Sequence, residues 1–200
     1  MFAVLLAIST SCASDAHPND KSGQVIYLVT MGNTSTTFSK RAAVAIKAFY
    51  GIQVEYLGNA NLPQKKCHVR NRHIAQNILT QLAVTDLENG DARDDKYLAL
   101  TDQDIETEDQ DDRGVIRKHW GVMGLGRVGG DVSVVSTFRL QGSRDRLIKV
   151  TLHEVGHMLN LPHCQSGVKE CVMNDVKGKA AVIDNTKVYL CSDCKTEIKF

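Results

Sequence analysis

Apolar and polar positions alternate between two periods along this chain. Gln24 to Thr30 (QVIYLVT) is a β-branched and aromatic run between Gly23 and Gly32, the pattern of a buried strand. Ser39 to Tyr50 switches to a helical period, with Ala43, Ile46 and Phe49-Tyr50 on one side and Gly51 as its stop. Ile52 to Leu57 alternates apolar with polar, which predicts a second strand. Arg70 to Leu87 repeats apolar residues at Ile74, Ile78, Leu82 and Val84 and ends at Asn89-Gly90, which predicts a long amphipathic helix. Lys96 to Thr101 and Val132 to Phe138 read as a third and a fourth strand, and Ser143 to Leu159 as a third helix. Strands that alternate with helices imply an α/β layer structure with a mostly parallel sheet.

Two stretches between these elements invite chemical readings. Residues 102–112 carry Asp102, Asp104, Glu106, Glu108, Asp109, Asp111 and Asp112, enough carboxylates for calcium. No EF-hand spacing is present, and such runs are generally solvated loops, which is the expectation here. Gly121 to Gly130 contains Gly124-Leu125-Gly126-Arg127-Val128-Gly129, which fits GxGxxG by letter. A dinucleotide fingerprint follows a strand and opens a helix. This one runs into Asp131 and a strand, so a mobile loop is expected instead.

Composition adds little until the cysteines are placed. The formal net charge of +1 gives nucleic acid or an anionic membrane no bulk electrostatic attraction. Two hundred residues suit a single domain, expected over 23–200. Phe2 to Ile8 is an apolar run of seven, too short to span a bilayer, followed by small residues and Cys12. That order resembles a secretory signal with the lipid-accepting cysteine of a bacterial lipoprotein, although no Lys or Arg precedes the run and Ser9 stands where Leu is usual. Residues 1–22 are therefore expected to be a signal and polar linker, with a lipid anchor at Cys12 and a place in the cell envelope; a frayed N-terminus of a cytoplasmic protein is the alternative. Cys12 and Cys67 stand alone, whereas Cys164, Cys171, Cys191 and Cys194 crowd into the last stretch. Such crowding points to local chemistry and not to disulfides spread over the domain. Cys67-His68, with His73 five residues on, lacks partner cysteines and is assigned to surface or core; His17 and His119 carry no motif.

The chemistry concentrates in the third helix. Ser143 suits an N-cap with Asp145 in the first turn, and Leu147-Ile148, Thr151-Leu152, Val155 and Met158-Leu159 form its core stripe. His153 and His157 are four residues apart, so their imidazoles lie one turn above each other and can hold one ion. Glu154 projects to the side of the open coordination position, completing H-E-x-x-H, the pattern of a zinc hydrolase. The chain continues Met158-Leu159-Asn160-Leu161-Pro162-His163. Pro162 forbids further helix, and Asn160 tolerates the left-handed turn that would send His163 back to the same metal. Three imidazoles and a water make a four-coordinate catalytic zinc site.

The run HEVGHMLNLPHC, then C-x-M at Cys171 to Met173, seventeen residues, and C-x-x-C at Cys191 to Cys194, closely resembles the archaemetzincins, a branch of the metzincin metalloproteases. Leu152 to Cys194 carries the resemblance, and Ser136-Thr137-Phe138-Arg139-Leu140 looks like the strand that family places before its active-site helix. Asn160 stands where the family usually has Gly, and the loop from Cys164 to Cys171 is two residues longer; neither removes a ligand. The resemblance implies a metzincin-like α/β fold with an active-site helix and a small zinc-stapled C-terminal segment. It also implies that Met173 packs beneath the catalytic metal. Four thiolates suit a closed tetrahedral structural zinc held by Cys164, Cys171, Cys191 and Cys194; two disulfides are the alternative.

The expected function is thus zinc-dependent hydrolysis of peptides or proteins, with two zinc ions per chain and Glu154 as general base. Val132 to Phe138 is the expected edge for pairing an extended substrate. A zinc-dependent peptide binder is the first rival, and Glu154 argues against it because binding needs no base. A cysteine-zinc module for nucleic acid is the second, but Lys177, Lys179 and Lys187 are diluted by Glu170, Asp175, Asp184 and Asp193.

Overall fold

The computed structural model describes residues 24–64, 70–89, 95–110 and 114–200. Cys12, His17, Cys67 and His68 lie outside them, and so does the expected signal segment. The elements in chain order are β1 (Val25–Met31), α1 (Thr36–Tyr50), β2 (Gln53–Ala60), β3 (His73–Ile74), α2 (Ala75–Asn89), β4 (Lys96–Thr101), β5 (Ile105–Gln110), β6 (Ile116–Val122), β7 (Gly124–Gly126) and β8 (Val132–Ser136). A 3₁₀ turn at Phe138–Leu140 then leads to α3 (Arg144–Met158), α4 (Ala180–Asn185) and α5 (Ser192–Glu197).

The main sheet has the order β2-β1-β4-β8-β7, parallel except for β7, which runs antiparallel to β8. Alternation along the strands divides the core into two layers. Ile26, Leu28, Leu98, Leu100 and Val135 face α1 and α3. Val29, Met31, Tyr97, Ala99 and Val134 face α2. Strand β4, central and covered on both sides, is buried along its whole length, as a parallel α/β sheet demands. Helix α1 starts three residues before the expected Ser39, capped by the Ser35 side chain, which accepts from the Thr37 N–H at 3.2 Å, and Gly51 closes the other end as expected, at φ 76°.

Several expectations change. The helix read over 70–87 starts only at Ala75, because His73 and Ile74 pair with Ile105 and Glu106 as a short strand. Val84, counted on its apolar stripe, is 49% exposed. The described part of the acidic stretch is not a plain loop: residues 105–110 form β5, hydrogen-bonded to β6, while Asp111 and Asp112 lie outside the described residues. Asp104 binds Arg72 at 2.8 Å and Arg139 at 2.7 Å, and Glu106 takes His119 Nδ1 at 2.7 Å. Asp104 and Glu106 are thereby neutralised within the fold. His73 is buried, with Nδ1 3.0 Å from the Pro63 carbonyl oxygen.

The first part of the glycine-rich stretch is not a loop either, since it ends β6 and forms β7, while residues 127–130 make the turn into β8. Strand β8, expected as the substrate edge, lies between β4 and β7, and it stops at Ser136 with Phe138 already in the 3₁₀ turn. Gly124–Gly126 forms the outer edge instead. Glycines conceal a strand because they weaken the β-propensity signal that would announce it.

Candidate active site

Helix α3 begins at Ser143, whose side chain accepts from the Arg146 N–H at 3.3 Å, and it buries nearly every residue from Lys149 onward. A helix enclosed on all sides lets two turns of polar side chains converge away from water. His153, Glu154 and His157 are all buried there. The end of α3 has Schellman geometry: Leu161 N–H donates to the Gly156 carbonyl at 2.9 Å and Asn160 N–H to the His157 carbonyl at 3.0 Å. Asn160 takes the left-handed conformation at φ 67°, and the chain turns back to set His163 against the other two rings. Ring centroids are 4.6 Å apart for His153–His157, 5.3 Å for His153–His163 and 4.9 Å for His157–His163.

The hydrogen bonds define which ring atoms are available. Nδ1 of His153 lies 2.8 Å from the Val172 carbonyl oxygen, and Nδ1 of His157 lies 2.8 Å from that of Leu161. A carbonyl only accepts, so both Nδ1 atoms carry the proton and both Nε2 atoms present lone pairs. Those two Nε2 atoms face each other at 3.1 Å. Two acceptors cannot bond to each other, but they can share a cation. Bonds of about 2.0 to 2.1 Å to a tetrahedral zinc would put ligand nitrogens about 3.4 Å apart, close to the spacing seen. Burial, reinforced by His157, holds the His153 ring down to about 3, so it is neutral and fit to ligate near pH 7. His157 is lowered as well, chiefly by burial.

Glu154 lies beside the rings under β7. Burial pushes its carboxyl up to about 8, opposed by a hydrogen bond from the Gly126 backbone. A Cβ on Gly124 would overlap the Glu154 side chain, and one on Gly126 would stand 3.1 Å from Oε2. These two glycines are therefore part of the site, and the sequence reading missed them. The available signal was the glycine at alternate positions of one strand, which permits close approach over a backbone. Met173 is fully buried with its sulfur against Gly156, where any Cβ would overlap it, directly behind the turn that carries His153 and His157.

A second cluster adjoins the first. The sulfur atoms of Cys164, Cys171, Cys191 and Cys194 form one group, as do the nitrogens of the three histidines, with ligand atoms within 4.8 Å of one another in each. Cys164 and Cys191 sulfurs stand 3.5 Å apart and Cys171 and Cys194 sulfurs 3.7 Å, and all four thiols are free. A disulfide needs about 2.05 Å, whereas a zinc tetrahedron with bonds of about 2.3 Å has edges of about 3.8 Å. Burial opposes ionisation of Cys191, but hydrogen bonds from Ser166, Cys194 and Cys164 bring it down to about 6. The backbone ties the two clusters together through Cys164 N–H to the Met173 carbonyl at 2.8 Å.

Known proteins are similar to this chain. The family model described as "Peptidase family M54" matches residues 74–200. The archaemetzincin of Haloarcula marismortui is 27% identical over 186 residues, covering 86% of this chain and 97% of that protein. The crystal structure of Archaeoglobus fulgidus archaemetzincin, complexed with malonate, superposes with a TM-score of 0.70 at 22% identity, over 87% of this chain and 99% of that one. A zinc-dependent peptidase from Methanocorpusculum labreanum gives 0.71 at 21% identity, over 86% and 98%. At such identities the two structures establish the fold, and the family model reaches from β3 through both clusters.

Proposed function

This chain belongs to peptidase family M54 and is a zinc metallopeptidase of the archaemetzincin kind; from that premise we propose which residues do the work. His153, His157 and His163 hold the catalytic zinc, the first two through Nε2. Cys164, Cys171, Cys191 and Cys194 hold a structural zinc. Zinc held by the histidines would supply Lewis acidity, polarising a peptide carbonyl and lowering the pKa of a water to about 7. Glu154 takes the proton from that water as it attacks the carbonyl carbon, then delivers it to the leaving amine. The Gly126 N–H fixes the carboxylate while it does so. Strand β7, open on its outer side, offers backbone groups to an extended substrate, the role first expected of β8.

The observation that carries this reading is the pair of facing Nε2 atoms 3.1 Å apart, with both Nδ1 atoms already committed to carbonyls. Protein purified without oxygen should contain two zinc ions per chain by mass spectrometry and should cleave members of a mixed peptide library. A chelator should abolish cleavage, and added zinc should restore it. One zinc, with the four cysteines recovered as disulfides, overturns the structural site. Two zinc ions with no cleavage of any peptide would make the protein a binder.

Gly124 supplies a test of positioning. Gly124→Ala drives Cβ into the Glu154 side chain, so the carboxylate must move off its line to the water. Displacement by about 1 Å costs about a hundredfold in rate. The expected result is unchanged zinc content with kcat down by that order, measured on one cleavable peptide.

A further inference from the structure

The cleft does not end at the histidines. Its volume of about 520 Å³ continues along α3 towards α4, between Val150, Val172, Val176 and Ile183. Among these apolar walls lies Lys149, one helical turn before His153 and therefore on the same face of α3. It is 7% exposed. The other charged side chains along the cleft, apart from Glu154, are Glu108 and Arg117 on the β5–β6 hairpin and Asp175 and Lys177 beyond the cysteine turn; all four are exposed. They comprise two of each sign and are screened by water. Lys149 is the one buried cation among the described residues that line the cleft.

Its two protein acceptors are both shared. An ammonium has three N–H donors and, once buried, needs an acceptor for each. Nζ finds Asp145 Oδ2 at 2.6 Å and the Ile183 carbonyl oxygen at 3.3 Å. The Asp145 side chain is 64% exposed, so water competes for that carboxylate. The Ile183 carbonyl already accepts from Thr186 N–H at 3.0 Å and Thr186 Oγ1 at 2.9 Å, which uses both of its lone pairs. A buried charged donor thus lines the cleft, and neither of its two acceptors is committed to it alone.

We propose that Lys149 selects substrates bearing a carboxylate within a few residues of the scissile bond, either an Asp or Glu side chain or the free C-terminus of a short peptide. The Lys149 backbone lies about 6 Å along the axis from that of His153, and its ammonium reaches back towards Asp145, so an anion bound to it lies a few residues from the reacting carbonyl. Charge-assisted bonds to a buried ammonium discriminate against a neutral isostere. The inference rests on the peptidase reading above but fails separately from it.

The test compares kcat/KM on peptide pairs differing only as Glu against Gln at each position flanking the cleaved bond, with amidated ends, and a second set differing only as free acid against amide. The zinc-loaded wild type should favour one carboxylate member by about tenfold to a hundredfold. The set in which the preference appears identifies the source. Lys149→Met should bring that ratio to about one. Asp145→Asn removes the competing carboxylate on the exposed side and should raise the ratio, a change that a merely structural lysine would not produce. A wild-type ratio near one in both sets, or a ratio unaltered in both variants, overturns the proposal and leaves the peptidase intact. If no peptide is cleaved, binding to Glu154→Gln protein decides: tighter binding of the carboxylate member sustains the pocket and sinks the peptidase reading, and equal binding overturns both.

Discussion

Glu154→Gln protein is expected to retain two zinc ions and bind peptides as wild type does, while kcat falls by about 10² to 10⁴. Gln occupies the same volume, so it fits beneath Gly124, and its amide oxygen still accepts from the Gly126 N–H. What disappears is basicity. A carboxylate in water, with a pKa near about 4.3, is a weak base for a water proton, and burial raises that of Glu154 to about 8. His157→Ala should fail differently, because it removes one of the two facing Nε2 atoms. The catalytic zinc should be lost and activity with it, while one zinc remains with the cysteines. Zinc analysis beside peptide kinetics separates the two failures. Wild-type turnover in Glu154→Gln would assign the base to another group.

Changing Cys191 and Cys194 to Ser should release exactly the other ion's worth of zinc, one per chain, and unfold the chain around it. Helices α4 and α5 have six residues each, well below the dozen or more that an isolated helix needs in water. Cys191 caps α5 and Cys194 lies within it. A structural zinc contributes about 10 to 16 kcal/mol at pH 7 in small zinc-folded peptides, far more than these turns can supply. Hydrogen exchange should show protection lost beyond Cys164 and kept in β1 and β4, whose layers are closed by α1, α2 and α3. Full protection beyond Cys164 with both cysteines changed would show that packing alone holds the segment.

The catalytic helix was legible because its signals are local. The Ser143 cap, the four-residue spacing of His153 and His157, and the stop at Asn160-Leu161-Pro162 each act within a turn or two of chain, and all three describe the structure. The parallel sheet was legible for a similar reason, since strands buried on both faces read as apolar runs. What escaped depends on distant partners. Residues 105–110 look like a solvated acidic run until Arg72 and Arg139 arrive at Asp104 and His119 at Glu106. Gly124 and Gly126 look like a loop until Glu154 needs the space beneath them. Which strand forms the sheet edge is likewise a property of pairing order, and β8 carries no mark of being covered by three residues of mostly glycine. Lys149 reads as one more helix surface charge; only the packing of Ile183 against it encloses the ammonium.

His163 and Cys164 are consecutive, so one peptide bond joins a side chain of the histidine cluster to a side chain of the cysteine cluster. The two metal equilibria therefore share a backbone degree of freedom: ordering Cys164 for one ion orders the neighbouring His163 for the other. A free energy of this kind is reciprocal. By whatever factor a filled cysteine site tightens the histidine site, a filled histidine site tightens the cysteine site by the same factor. Titrating zinc into the metal-free chain should then yield a cooperative isotherm, in which half-loaded molecules are scarcer than two independent sites would leave them.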